Sequence, residues 1–286
     1  MILLMGITAF SLLCAILAFI GGGLLAAAAA LIAGWISGLL LVLLFLVAVC
    51  LPVDRETPPE QDSKFYRTIA RLYLDLAIRL GRIELRTEGL EKIPRNGRFL
   101  LVCNHLNELD PAVLLHCFPD SQLAFISKKE NKYLPIVSQI MHKLMCPLID
   151  RENDREALKT ILRCIDMIKN DKVSIGVFPE GYVSLDGRLR HFRSGVFKIA
   201  QKTGVPIVVC TIRNTKKAMK DLFALRKTWI SLHLVDVVDA DQVHSTATTD
   251  MAERVYEIMI SDLGETYRTD EKALHPNLQT CIDPIE

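Results

Sequence analysis

Hydrophobic and polar positions divide the chain in two. From Met1 to Val53 no side chain carries charge, and Asp54 is the first that does. Beyond it, apolar residues come in short runs and helical periods. As one helix, Met1 to Leu51 would measure about 76 Å at ~1.5 Å per residue, more than twice a hydrocarbon core of ~30 Å. Gly21-Gly22-Gly23 splits this run into Met1–Ile20 and Leu24–Cys50, each long enough to cross a bilayer, and Pro52 follows. The pattern predicts a transmembrane helical hairpin over residues 1–53. A single long span and a monotopic hairpin within one leaflet are the rival arrangements, and Ala26–Ala30, Gly34 and Gly38 suit close helix packing in either. A secretory signal fits poorly: no Lys or Arg precedes the run, and it exceeds an h-region of ~7–15 residues.

Residues 54–82 read as a linker, marked by Pro58-Pro59, and an amphipathic helix at the membrane surface. Phe65, Ile69, Leu72, Tyr73, Leu76 and Leu80 recur at helical spacing opposite Lys64, Arg67, Arg71, Asp75 and Arg79, and Gly81 ends the period. The apolar face either packs on the protein core or lies on anionic lipid with its basic stripe at the head groups. Residues 83–286 alternate β-rich runs with helices. Strands are predicted at Ile83–Leu85, Phe99–Val102, Leu123–Ile126, Pro147–Ile149, Val173–Phe178, Pro206–Ile212 and Trp229–Val238. One helix starts at Asn153, with Glu156 as capping partner, and turns Leu158, Ile161, Leu162, Ile165 and Ile168 to one face. Others run from Ser194 to Thr203 and over Thr249–Tyr267. The fold class is α/β, a mixed, largely parallel sheet flanked by helices and preceded by the hairpin.

Charge changes this picture little. Lys and Arg total 34 against 33 Asp and Glu, without the basic excess of a nucleic-acid binder. Basic residues after the last span, beginning with Arg55 and Lys64, favour a cytoplasmic domain. The 8 cysteines show no metal-ligand spacing, which leaves reduced, mostly buried thiols and no metal site.

Two loops carry candidate chemistry. Asn104-His105-Leu106-Asn107-Glu108-Leu109-Asp110 follows an apolar strand, where α/β sheets place ligands. A histidine acting as base near neutral pH needs a carboxylate to orient its ring, but residues five apart on a helix point ~140° apart. His105 and Asp110 therefore meet only if the chain bends, and Pro111 favours a bend with Asp110 as N-cap. The plainer alternative makes Asp110 only a cap. Phe178-Pro179-Glu180-Gly181-Tyr182-Val183-Ser184 follows another strand in a turn that projects Glu180 and backbone N–H groups.

Together these segments resemble the glycerolipid acyltransferase superfamily, specifically the 1-acylglycerol-3-phosphate acyltransferases. Its N-H-x4-D block is met by Asn104, His105 and Asp110, and its F-P-E-G-T-R-S block by Phe178-Pro179-Glu180-Gly181 and Ser184. Ser127-Lys128-Lys129-Glu130 with Leu148-Ile149-Asp150-Arg151, and Val205-Pro206-Ile207-Val208-Val209, resemble the remaining blocks. The resemblance implies a membrane enzyme moving a fatty acyl chain from acyl-CoA or acyl carrier protein to a lysophospholipid, with no further cofactor and no nucleic-acid partner. It makes His105 and Asp110 catalytic, places Glu180 and Gly181 on the acceptor, and points to loop N–H groups as oxyanion donors. Tyr182 and Val183 replace the usual Thr and Arg, and that Arg is associated with the acceptor phosphate. Lys129, Arg151 and Arg193 are the expected substitutes, while Arg188 and Arg190, in the Asp186-Gly187 turn, are expected to face solvent. Another lysophospholipid or a lipid alcohol as acceptor, and a non-catalytic lipid-binding membrane protein, are the alternative functions.

Overall fold

The computed structural model describes residues 1–184, 186–224 and 226–269. The strands are β1 (Ile83–Glu88), β2 (Leu100–Cys103), β3 (Leu123–Phe125), β4 (Ser127–Lys128), β5 (Leu148–Ile149), β6 (Ser174–Val177), β7 (Ile207–Arg213) and β8 (Thr228–Val238). The helices are α1 (Ile2–Cys50), α2 (Lys64–Leu80), α3 (Asp110–Cys117), α4 (Val137–Lys143), α5 (Asp154–Lys169), α6 (Lys198–Thr203), α7 (Thr215–Phe223), α8 (Ala240–Ser245) and α9 (Thr248–Leu263). Six strands form a sheet in the order β1-β8-β7-β2-β6-β3; neighbours are parallel except β7 and β8, and β4 pairs with β5 apart from it.

Side chains alternate across the sheet, and both faces are buried, which is why the central strands are apolar throughout. Leu100, Val102, Ile175, Val177, Ile207 and Val209 pack with α5, α6 and α9, whereas Phe99, Leu101, Cys103, Val208 and Cys210 pack with α3. The neighbours β2 and β6 thus send their following helices to opposite faces. Their loops part and open a crevice at the carboxyl ends of the strands, where such sheets hold ligands.

The N-terminal segment is helical from Ile2 to Cys50 with one sharp kink, where the sequence pattern predicts two separate helices. No connecting loop intervenes, and only Gly23 breaks it, at φ 73° and ψ −164°, a backbone conformation that favours glycine. Residues on either side of that break nevertheless touch. Ser11 Oγ donates to the Leu31 carbonyl at 2.5 Å, and a Cβ on Gly34 would lie 2.8 Å from the Ser11 Cα. Residues so far apart in sequence meet only where the chain doubles back. The Tyr66 hydroxyl donates to the Val49 carbonyl at 2.9 Å and the Tyr73 hydroxyl to that of Val42, so α2 runs antiparallel to the second half of α1. Ile69 packs with Leu46 and Cys50, so this face lies on protein. Arg67 leaves the basic stripe for a two-bond pair with Asp62 at 2.7 and 2.9 Å.

Helix α5 starts as its sequence requires, with Asn153 Oδ1 accepting from the Arg155 and Glu156 N–H groups. The Glu156 carboxylate pairs with Lys159 instead of completing the cap. Ile161 and Ile168 are buried, but Leu158 and Leu162 are 49% and 55% exposed, so the apolar stripe is wider than the surface it packs on. The helix expected from Ser194 opens as a 3-10 turn over Ser194–Phe197 before α6, and the one expected to reach Tyr267 ends at Leu263. Seven cysteines are free thiols, and Cys281 lies outside the described residues.

Candidate active site

The chain does bend between His105 and Asp110. Asn104, buried at the end of β2, accepts from the Ile212 N–H at 2.7 Å and donates to the Ile212 carbonyl at 3.0 Å, which anchors the loop to β7. Pro111 opens α3 with Asp110 as its first residue, while Leu109 takes the cap position expected of Asp110. Asp110 is fully buried, and its Oδ2 accepts from the Leu106 N–H at 2.7 Å and the Asn107 N–H at 2.8 Å. The same oxygen lies 2.8 Å from His105 Nδ1. That contact fixes Nδ1 as the protonated nitrogen of the neutral ring and leaves Nε2 as the acceptor. The Phe178 ring stacks on the imidazole at 4.0 Å and 16°, which holds its plane.

Glu180 braces this loop from below. It is 2% exposed; Oε1 accepts from the His105 N–H at 2.8 Å and Oε2 from the Arg190 N–H at 3.0 Å. Burial pushes its pKa up to about 8, against the pull of those two N–H groups and the Arg190 charge. Each oxygen thus accepts one backbone N–H, and Glu180, expected on the acceptor, here ties the His105 loop to Arg190. Cys103 is equally enclosed, and burial holds its thiol well above the usual range, which suits packing and not nucleophilic attack.

Beside Phe178 lies a cavity of about 330 Å³ whose lining includes Ile126, Ile161, Gly181, Arg151 and Arg193. Gly181 has φ 84°, and a Cβ there would lie 2.8 Å from Arg193 Nε, so glycine lets the guanidinium cross the turn. Burial and the Arg193 charge both lower the Arg151 pKa. No ion pair to either arginine occurs among the described residues. Two neighbouring cations, against Asp154 as the one acid of the lining and in no ion pair with it, make a surface suited to a phosphate or other multiply charged anion.

Residues 84–213 match the acyltransferase family model, a span containing the histidine, the aspartate, the glutamate and both cavity arginines. This segment is an acyltransferase domain. Its relatives include the chloroplastic 1-acyl-sn-glycerol-3-phosphate acyltransferase of Arabidopsis thaliana, 34% identical over 157 residues, 54% of this chain and 43% of that protein. Another is the 1-acyl-sn-glycerol-3-phosphate acyltransferase of Borreliella burgdorferi, 25% identical over 59% of this chain and 67% of that one. The chain thus spans less than half the length of its plant relative. The crystal structure of the 1-acyl-sn-glycerophosphate acyltransferase PlsC from Thermotoga maritima shares the fold, with a TM-score of 0.54 and 23% identity over 79% of this chain and 89% of that one.

Within this acyltransferase fold several expected roles move. Lys129, expected on the substrate, is held by Asp150 at 2.7 Å. Arg190, expected in solvent, is 2% exposed and pairs with Asp186 at 2.6 Å and with Thr269 Oγ1 at 3.2 Å. A buried arginine is tolerable only with such partners. The loop N–H groups expected as oxyanion donors are largely taken: those of His105, Leu106 and Asn107 by carboxylates, that of Gly181 by the Phe178 carbonyl and that of Ser184 by the His105 carbonyl. Sequence reasoning missed the Phe178 stack, although a conjugated side chain at the end of a neighbouring parallel strand was its available signal.

Proposed function

We propose that the chain transfers a fatty acyl group from an acyl thioester to the free hydroxyl of 1-acyl-glycerol-3-phosphate, giving phosphatidic acid. The observation that carries this reading is the 2.8 Å contact between His105 Nδ1 and a wholly buried Asp110, next to a cavity with two unpaired arginines. His105 Nε2 takes the hydroxyl proton as the oxygen attacks the thioester carbonyl, and Asp110 stabilises the imidazolium. The tetrahedral intermediate collapses with cleavage of the C–S bond, and the imidazolium returns the proton to the departing thiolate. Acyl-CoA or acyl carrier protein supplies the thioester, and the chemistry calls for no further cofactor. Arg151 and Arg193 hold the acceptor phosphate that Val183 cannot. Residues 1–53 insert in the membrane, residues 54–82 lie at its surface, and the α/β domain stands on the cytoplasmic face.

The test is an assay of the purified full chain with one acyl-CoA and a panel of acceptors. Phosphatidic acid formed in preference to other products supports the reading. Val183 favours a second one, a phosphodiester lysolipid or lipid alcohol as acceptor, and preferential acylation of such a compound would establish it.

A further inference from the structure

A second cavity, of about 380 Å³, lies between the linker that leaves the apolar segment and the helix α4, on residues that the acyl-transfer chemistry does not use. Its lining carries Arg55, Lys132, His142 and Arg163, against Glu56 as the acid among them. Arg55 is oriented by neutral groups alone, donating to the Lys132 carbonyl at 2.9 Å and to Ser138 Oγ at 3.0 Å. Lys132 rests on the Tyr133 ring at 4.8 Å. Among the described residues no carboxylate pairs with Arg55, Lys132 or Arg163, although surface cations elsewhere on the domain, such as Lys129, Arg98 and Lys217, have one.

The surroundings say what kind of anion fits. Tyr133, Leu134 and Val137 are 73%, 47% and 48% exposed, and Leu148, Leu158 and Leu162 are 38%, 49% and 55% exposed. Tyr133 and Leu148 line the cavity itself, and Arg163 is the chain neighbour of Leu162. A soluble anion gains nothing from an apolar rim, whereas a lipid presents a phosphate and an apolar body together. Arg55 lies five residues beyond Cys50, the end of the apolar helix, so the chain itself keeps this cavity near the level at which that helix leaves the bilayer.

We propose that the cavity formed by Arg55, Lys132 and Arg163 binds the phosphate-bearing head group of an anionic membrane phospholipid, with Tyr133, Leu134, Leu158 and Leu162 resting in the interface around it. This is a site separate from the Arg151–Arg193 cavity; Leu148 lines one and its neighbour Ile149 the other. Occupancy couples the tilt of the α/β domain on the membrane to the lipid charge. Cations near the surface are drawn to an anionic leaflet, and that attraction is screened by salt.

The full chain in uncharged detergent micelles is titrated with short-chain phosphatidylglycerol, short-chain phosphatidylcholine and inorganic phosphate, with bound lipid read by native mass spectrometry and affinity by calorimetry. Lys132 and Arg163 are both exposed, so Lys132→Gln with Arg163→Gln keeps the fold, which an unchanged Tm verifies. The expected result is saturable phosphatidylglycerol binding that weakens tenfold or more in this double variant and is retained in Arg151→Ala with Arg193→Ala. Equal binding of phosphatidylcholine, or equal affinity in the double variant, overturns the proposal. Phosphate binding as tight as phosphatidylglycerol binding, lost in the same variant, also overturns it, because the site then takes a soluble anion.

Discussion

Two His–Asp pairs of nearly equal length occur among the described residues, and they stand in different surroundings. His105 Nδ1 lies 2.8 Å from Asp110 Oδ2, and His233 Nδ1 lies 2.6 Å from Asp262 Oδ1. The partners of each aspartate separate them. Asp110 is wholly buried and receives only the imidazole and two backbone N–H groups, so no cation competes for its charge. Asp262 also accepts from Thr211 Oγ1 and, at 3.1 Å, from Arg213. Burial pushes the Asp262 pKa up, but Thr211, His233 and the Arg213 charge outweigh it and bring it below the usual range. His233 therefore shares its carboxylate with a guanidinium, in a cluster that ties α9 to β7 and β8. A short His–Asp distance is a weak mark of catalysis; a carboxylate with no cation of its own, beside a cavity, is a stronger one.

The largest expected effect separates the two pairs directly. His105→Ala should lower kcat by about 10²–10⁴ with fold and membrane association unchanged. His233→Ala should leave kcat near the parental value and lower Tm, because it removes a hydrogen bond to an ionised group worth about 1.5–3 kcal/mol. Matched kinetics and thermal melts check both; equal losses of kcat in the two variants would dissolve the distinction.

Next comes the carboxylate. In Asp110→Asn the side-chain oxygen can keep the Leu106, Asn107 and His105 contacts, while the amide takes the place of Oδ1, an atom buried without a partner. The loop should survive and the rate should not, since an amide cannot stabilise the imidazolium. A drop of two or more orders of magnitude in kcat at near-parental Tm is expected. Lost stability with retained rate would mean that Asp110 only holds the turn.

How much of this was legible in sequence follows from the range of each interaction. The strand ends and the bend before Pro111 depend on neighbouring residues, so the two loops and the His105–Asp110 pair can be read from local pattern. Glu180 and Lys129 cannot, because their partners lie 75 and 21 residues away in the His105 N–H and Asp150, and the burial of Arg190 beside its local partner Asp186 depends on chain as far off as Thr269, 79 residues away. Pattern identifies a residue that carries charge but not whether that charge is already paired. The same limit applies to α5, whose period marks Leu158 and Leu162 as apolar without showing that the packed surface stops short of them.

The cavity arginines test the other half of the contrast, charge left unpaired. Arg193→Ala or Arg151→Ala should raise KM for the phosphate-bearing acceptor roughly tenfold, as for loss of a charged hydrogen bond of ~1.5–3 kcal/mol, and leave kcat less affected. Arg213→Ala, which removes a cation already paired with Asp262, should leave KM where it was. Steady-state kinetics against acceptor concentration distinguish the two, and a parental KM in both cavity variants would remove the phosphate from this cavity.

The smallest effect concerns what holds each histidine's backbone. His233 lies within β8 between β1 and β7, opposite Glu88 and Thr211, and the sheet fixes it. His105 stands beyond the end of β2 and depends on Glu180 to accept its N–H. With a pKa of about 8 in the folded protein against 4.5 for the free side chain, Glu180 keeps its proton across an interval in which the unfolded chain has lost it. The folded state then binds more protons, so stability falls as pH rises from about 4.5 to about 8 and levels off on either side. Glu180→Gln has no proton to lose. It carries a fixed cost, since its amide nitrogen faces a backbone N–H, but not that slope. The Tm of Glu180→Gln minus that of the parent should therefore rise steadily between pH 5 and 8 and be flat above, as read from parallel melts across that range. Parallel profiles would mean that the carboxylate is ionised throughout, and that His105 is held by a charge and not by a neutral acid.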